Sequence, residues 1–139
     1  MTFPENEVWK TAFEQKRGTE YLVELTQGGE KIESWTQLVT QSYRIFPKER
    51  FRALVELTVS GLRKDCPSLQ TTFLKNEPFN VIYRWSDGGC GGFPAQEAIM
   101  RFDYVENGVA NLQYAYYKSK ANPNFDLWIK YISDAELVK

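Results

Sequence analysis

The chain has 139 residues, of which 25% are charged, 42% hydrophobic and 15% aromatic, and its formal net charge is −1. This length and composition predict one domain, residues 1–139, that buries a core without metals or several disulfides. The chain has no histidine and two cysteines, and its basic residues are scattered. A histidine general base, a tetrahedral Cys/His zinc site and a phosphate-binding basic stripe are therefore excluded, so we expect no metal, no cofactor and no nucleic-acid partner.

The first third of the chain has strand patterns. Residues 8–17 and 20–26 are predicted strands, the second with Tyr21 and Leu25 on one buried face. Residues 34–45 fit helical spacing as well, but Trp, Thr, Val, Tyr and Ile dominate. A strand is favoured there, with Trp35, Val39 and Tyr43 on one face, after a short helical turn at 30–33.

An amphipathic helix is predicted next. Pro47 suits the first position of a helix, and apolar residues recur at helical spacing from Phe51 to Leu62. Cys66-Pro67 ends the helix, because the residue before proline is displaced from the α region.

The second half again has strand patterns, followed by a short helix. Glu106-Asn107-Gly108 is typical of a hairpin, whose type I′ turn needs positive φ at both central residues. Asn122-Pro123 is typical of a helix cap followed by the first helical residue. The predicted strands are 69–75, 79–86, 96–104 and 109–118, and the predicted helix is 123–135.

This order, β-β-β-α-β-β-β-β-α, predicts an α+β fold. We expect a single antiparallel sheet of about six to seven strands, packed by one long helix (about 47–65) and a short C-terminal helix (about 123–135). A concave sheet face between the two helices would be the natural binding site.

Short motifs resemble a known group of proteins. They are the run from Gly28 to Thr40, Asp65-Cys66-Pro67, and a Tyr-Arg-Trp strand followed by Cys90 and Gln96-Glu97. This pattern, over about 30–118, resembles a family of small uncharacterised bacterial α+β domains, some of them exported or lipid-anchored. The resemblance implies an α+β fold and a structural role for Cys66 and Cys90, and it implies no activity.

Cys90 lies in a glycine-rich stretch, Gly88-Gly-Cys-Gly-Gly92. The stretch is predicted to be a turn that needs positive φ rather than a phosphate loop, since no phosphate-binding motif is present. Three states of the thiol stay open: a nucleophile on a loop whose amides hold an oxyanion, a disulfide with Cys66, or a reduced thiol. The absence of histidine weighs against the nucleophile.

Five residues are the candidate ligand-binding set. Arg84, Glu97 and Arg101 fall on neighbouring predicted strands and form a polar cluster that binds a small anion or, as we favour, pairs internally. Trp85 and Tyr114 belong to a larger aromatic set that forms either the core or a binding cleft. That set is Trp35, Tyr43, Tyr83, Trp85, Phe102, Tyr114 and Tyr116.

No apolar run is long enough to cross a bilayer, and the acidic N-terminus lacks a signal-peptide pattern. We therefore expect a cytoplasmic protein if Met1 is native, and a periplasmic or lipid-anchored one if an export signal was removed.

A non-catalytic binding or protein-interaction domain of bacterial origin is the favoured function. The alternatives are a small enzyme that uses carboxylate and arginine groups on the sheet face, and a partner protein in a secretion or immunity assembly. The ligand, the partner and the oligomeric state stay open.

Overall fold

A computed structural model describes residues 8–136, so the acidic segment 1–7 lies outside the described residues. The described residues form one antiparallel sheet and two α-helices, which confirms the predicted fold class and element order. The elements are β1 (Trp9–Arg17), β2 (Glu20–Gln27), β3 (Gln37–Ile45), α1 (Phe51–Asp65), β4 (Gln70–Glu77), β5 (Asn80–Ser86), β6 (Gln96–Val105), β7 (Gly108–Tyr117) and α2 (Phe125–Asp134).

The seven strands lie in the order β1-β2-β3-β7-β6-β5-β4. Two meanders, β1 to β3 and β4 to β7, are joined by α1, which carries the chain from the middle of the sheet to its far edge. The last strand returns to the middle and pairs with β3, with Val39 opposite Tyr114. Among the described residues, no helix is both long and apolar enough to span a membrane.

Helix α1 covers one face of the sheet. Its buried residues Phe51, Val55 and Val59 pack against alternate residues of the central strands. A short 3₁₀ turn, Lys48–Arg50, precedes it. The sheet residues in this cluster include Val81, Tyr83, Trp85, Ala98, Met100 and Phe102.

Helix α2 covers the opposite face, where the other alternate residues point. Trp128 stacks on Tyr114 with ring centroids 3.9 Å apart and an interplanar angle of 4°. Ile82 and Ile99 belong to the same cluster. Both faces of β5, β6 and β7 are apolar, so each face needs its own helix. The expectation of a site between the two helices was therefore wrong.

Two local predictions are corrected in detail. The N-cap of α2 is Asn124, whose side chain accepts a hydrogen bond from the Leu127 amide at 3.2 Å, and not Asn122. Trp35 precedes β3 and stacks on Tyr117 on the α1 side, whereas Val39 packs on the α2 side. The 3₁₀ turn at Ile32–Ser34 delays the start of the strand and places Trp35 outside its alternation.

The predicted hairpin between β6 and β7 is present. Its two residues with positive φ are Glu106 (51°) and Asn107 (64°). Gly108 is the first residue of β7 and lies opposite Ile45. A Cβ at Gly108 would lie 2.6 Å from Tyr43 Oη and nearer still to a backbone carbonyl oxygen. Close packing, rather than an unusual φ, therefore requires glycine at this position.

Candidate functional site

Cys66 and Cys90 form a disulfide, with Cα atoms 5.6 Å apart. Cys66 is buried at the C-terminal end of α1, and Cys90 lies in the glycine-rich loop between β5 and β6. The bond therefore links the helix to the sheet across a sequence separation of 24. A sulfur held in a disulfide is not a thiolate, so in this state Cys90 has no nucleophile to offer.

The glycine-rich loop is a tight turn. The Cys90 and Phe93 backbones exchange hydrogen bonds of 3.2 and 2.9 Å around Gly91 and Gly92. Both glycines have positive φ, 59° and 80°, as the sequence predicts for such a turn. Asp87 fixes the base of the loop, because its Oδ1 accepts the amide of Gly89 at 2.8 Å.

Arg84 and Glu97 pair with each other across β5 and β6. Arg84 Nη2 lies 2.8 Å from Glu97 Oε2, and its guanidinium also lies 5.1 Å from the ring centroid of Phe125. The Tyr116 hydroxyl donates a 2.6 Å hydrogen bond to Glu97 Oε1. Burial raises the pKa of Tyr116, and the hydrogen bond to the Glu97 carboxylate raises it further. These groups are thus engaged with one another.

Arg101 does not join this pair but binds the C-terminal end of α2. Its Nη1 donates to the carbonyl oxygens of Ile132 and Ala135 at 2.9 and 2.8 Å, and its Nε bonds to Asp103 at 2.7 Å. A cation at a helix C-terminus satisfies orphan carbonyls and favours the helix dipole. Arg101 therefore anchors α2 to β6.

Trp85 and Tyr114 lie on opposite faces of the sheet. Trp85 is buried on the α1 side, where its Nε1 has no hydrogen-bond acceptor among the described residues. Tyr114 is buried under α2, and its hydroxyl donates to Gln37 at 2.6 Å. The five sequence candidates are therefore distributed over both faces, and Arg84 and Glu97 among them are joined directly by an ion pair.

A cavity of about 390 Å³ lies elsewhere, at the end of the sheet beyond α2. Tyr21 and Tyr43 pair across β2 and β3, with ring centroids 6.5 Å apart and planes inclined by 25°. We call this cavity the Tyr21–Tyr43 pocket. Its other lining residues include Gln41, Ala110, Leu112 and Glu136.

The pocket exists because α2 is short. Ten residues of helix extend only about 15 Å, and α2 ends at Asp134. The helix therefore does not cover the end of the sheet where Tyr43 lies opposite Ala110. Sequence reasoning placed Tyr21 and Tyr43 on strand faces but did not bring them together, since that needs the register of β2 against β3.

The charged residues that line the pocket are acidic. Glu106 and Glu136 lie at its rim, and within residues 8–136 no lysine or arginine lines it. Aromatic faces attract cations, and carboxylates do so by charge. The pocket is therefore suited to a neutral or positively charged group rather than an anion.

No protein-family model, curated protein or solved structure matches this chain. The resemblance to small bacterial domains stays a prediction.

Proposed function

We propose that this protein is a non-catalytic binding domain that takes a cationic group in the Tyr21–Tyr43 pocket. The observation that carries this proposal is a ligand-sized cavity with two tyrosine rings and acidic rim residues. Its volume of about 390 Å³ lies within the range of small-molecule sites. The cationic group belongs either to a free amine or to a lysine or arginine side chain of a partner protein.

The chemistry of the occupant follows from the lining. An ammonium or guanidinium over a tyrosine ring gains about 0.5–2 kcal/mol. The Glu136 carboxylate is exposed at the rim, where it adds charge attraction without the penalty of a buried ion. Leu112 and Ala110 supply apolar contact for the stem or methyl groups of the ligand.

The test compares choline with its uncharged isostere, in which carbon replaces the ammonium nitrogen. Arginine amide serves as the planar cation and as a mimic of a partner side chain. Backbone amide NMR shifts of Gln41 and Leu112 report occupancy during titration. We expect choline or arginine amide to shift these signals at concentrations at which the isostere does not. Equal binding of choline and its isostere would refute the cationic assignment.

Matched variants locate the site. Tyr21→Leu keeps apolar bulk but removes the ring face, and we expect about fivefold weaker binding. Glu136→Gln is expected to weaken binding as well, whereas Glu33→Gln, in the exposed turn before β3, leaves it unchanged. If the two glutamate variants bind alike, the rim charge does not contribute.

The disulfide supports a location in an oxidising compartment, since such bonds persist there and are rare in reducing cytosol. Trapping native protein with an alkylating reagent tests this proposal. Unmodified cysteines are expected, and alkylation of Cys66 and Cys90 would contradict it.

A further inference from the structure

Three metal-ligand atoms lie together at the base of the glycine-rich loop. The sulfurs of Cys66 and Cys90 and a carboxylate oxygen of Asp87 all lie within 4.8 Å of one another. Asp87 is 7% exposed. The C-terminal end of α1 and the loop after β5 meet here, because Cys66 directly follows the helix and Asp87 directly follows the strand.

The turn does not account for the charge of Asp87. Its Oδ1 accepts the amides of Gly89 and Gln96 at 2.8 and 3.3 Å, and its Oδ2 makes no hydrogen bond to the residues that the structure describes. Asparagine forms the same type of turn with one neutral oxygen. A second carboxylate oxygen that the turn does not use, beside two sulfurs, is available to a cation.

We propose that, when the disulfide is reduced, Cys66, Cys90 and Asp87 bind a thiophilic divalent cation such as Zn²⁺. Two thiolates and one carboxylate form a three-ligand set, which zinc accepts with a fourth position open. Zinc–sulfur bonds of about 2.3 Å in tetrahedral geometry place two sulfurs about 3.8 Å apart. The bonded sulfurs must therefore separate by about 2 Å from their disulfide positions.

The loop that must move is built of small residues. A Cβ at Gly88 or at Gly92 would have no neighbouring atom within 4 Å, so the space around both positions is open. The reduction is thiol–disulfide exchange with a dithiol, which becomes a disulfide as the protein gains two thiols. Metal binding then releases both thiol protons. The metal would thus replace the disulfide as the link between α1 and the sheet.

Cadmium is the probe, because thiolate coordination produces an ultraviolet charge-transfer band. The protein is reduced, freed of reductant without air and titrated with Cd²⁺. We expect one equivalent to bind and produce the band, and oxidised protein to produce none. Absence of the band in folded, reduced protein would overturn the proposal.

Asp87→Asn keeps the turn and removes the anionic ligand, so we expect at least tenfold weaker Cd²⁺ binding. Asp65→Asn is the matched control, because Asp65 is exposed beside Cys66 and lies outside the ligand group. Equal affinity of wild type and Asp87→Asn would overturn the assignment of Asp87.

A second measurement tests the proposal even if Asp87→Asn does not fold. Zn²⁺ is expected to raise the thermal midpoint of reduced wild type and to leave that of reduced Cys90→Ser unchanged. No rise in the wild type, or an equal rise in both proteins, would overturn the proposal.

Discussion

Removing the Cys66–Cys90 disulfide should destabilise the protein through its unfolded state. The bond joins residues 24 apart in sequence. In the chain-entropy model, a closed loop of this length lowers the entropy of the unfolded chain by an amount that contributes about 3.4 kcal/mol to folding. Since whole domains are stable by about 5–15 kcal/mol, the loss should be large.

Urea unfolding followed by tryptophan fluorescence measures this loss in oxidised and reduced protein, with a chelator present to exclude metal. A chain of 139 residues unfolds with an entropy of about 0.29 kcal/mol/K, so we also expect the thermal midpoint to fall by about 12 °C. A Cys66→Ala/Cys90→Ala variant should match the reduced wild type within about 1 kcal/mol. A loss below about 1 kcal/mol on reduction would refute the tether argument.

Three further predictions concern the sheet and α2. Gly108→Ala should lower the free energy of unfolding, measured in urea, by about 2–3 kcal/mol, because its Cβ would overlap the Tyr43 ring. Gly61→Ala is the control: its Cβ lies in open space on α1, so it should raise the free energy of unfolding by up to about 1 kcal/mol. Equal effects of the two would contradict the packing argument. Arg101→Met should cost about 3 kcal/mol, since it removes donors to the last carbonyls of α2 and leaves a buried carboxylate without its cation. A loss below about 1 kcal/mol would show that α2 does not depend on this anchor. Burial raises the pKa of Glu24, so its ionisation weakens folding as pH rises through that raised value. Glu24→Gln should therefore gain stability relative to wild type between pH 3 and pH 7, and a difference that stays flat with pH would contradict the burial effect.

Much of the fold could be predicted because its signals are local. Alternating residues in β5 and β6 place Tyr83 and Met100 on one face, and the same alternation places Ile99 on the other. The spacing of apolar residues from Phe51 onward similarly predicts α1. These patterns follow from backbone periods of 2.0 and 3.6 residues, which act within a few positions of the chain.

The candidate site was less accessible to sequence reasoning. The strand pattern predicts that Arg101 lies in one polar cluster with Arg84. Its guanidinium instead donates to carbonyl oxygens more than 30 residues further along the chain. Tyr21 and Tyr43 are 22 positions apart, and only strand register pairs them. No local rule relates such positions, because each contact depends on how distant elements pack.

By itself, the sequence determined the kinds and order of the elements, the positions of the turns, and the chemistry that the absence of histidine excludes. The tertiary structure alone decided that the two helices cover opposite faces, that α2 leaves the Tyr21–Tyr43 pocket uncovered, and that Asp87 lies beside the disulfide. The reason is physical: periodicity states which side chains share a face, whereas strand pairing and helix docking choose what meets that face.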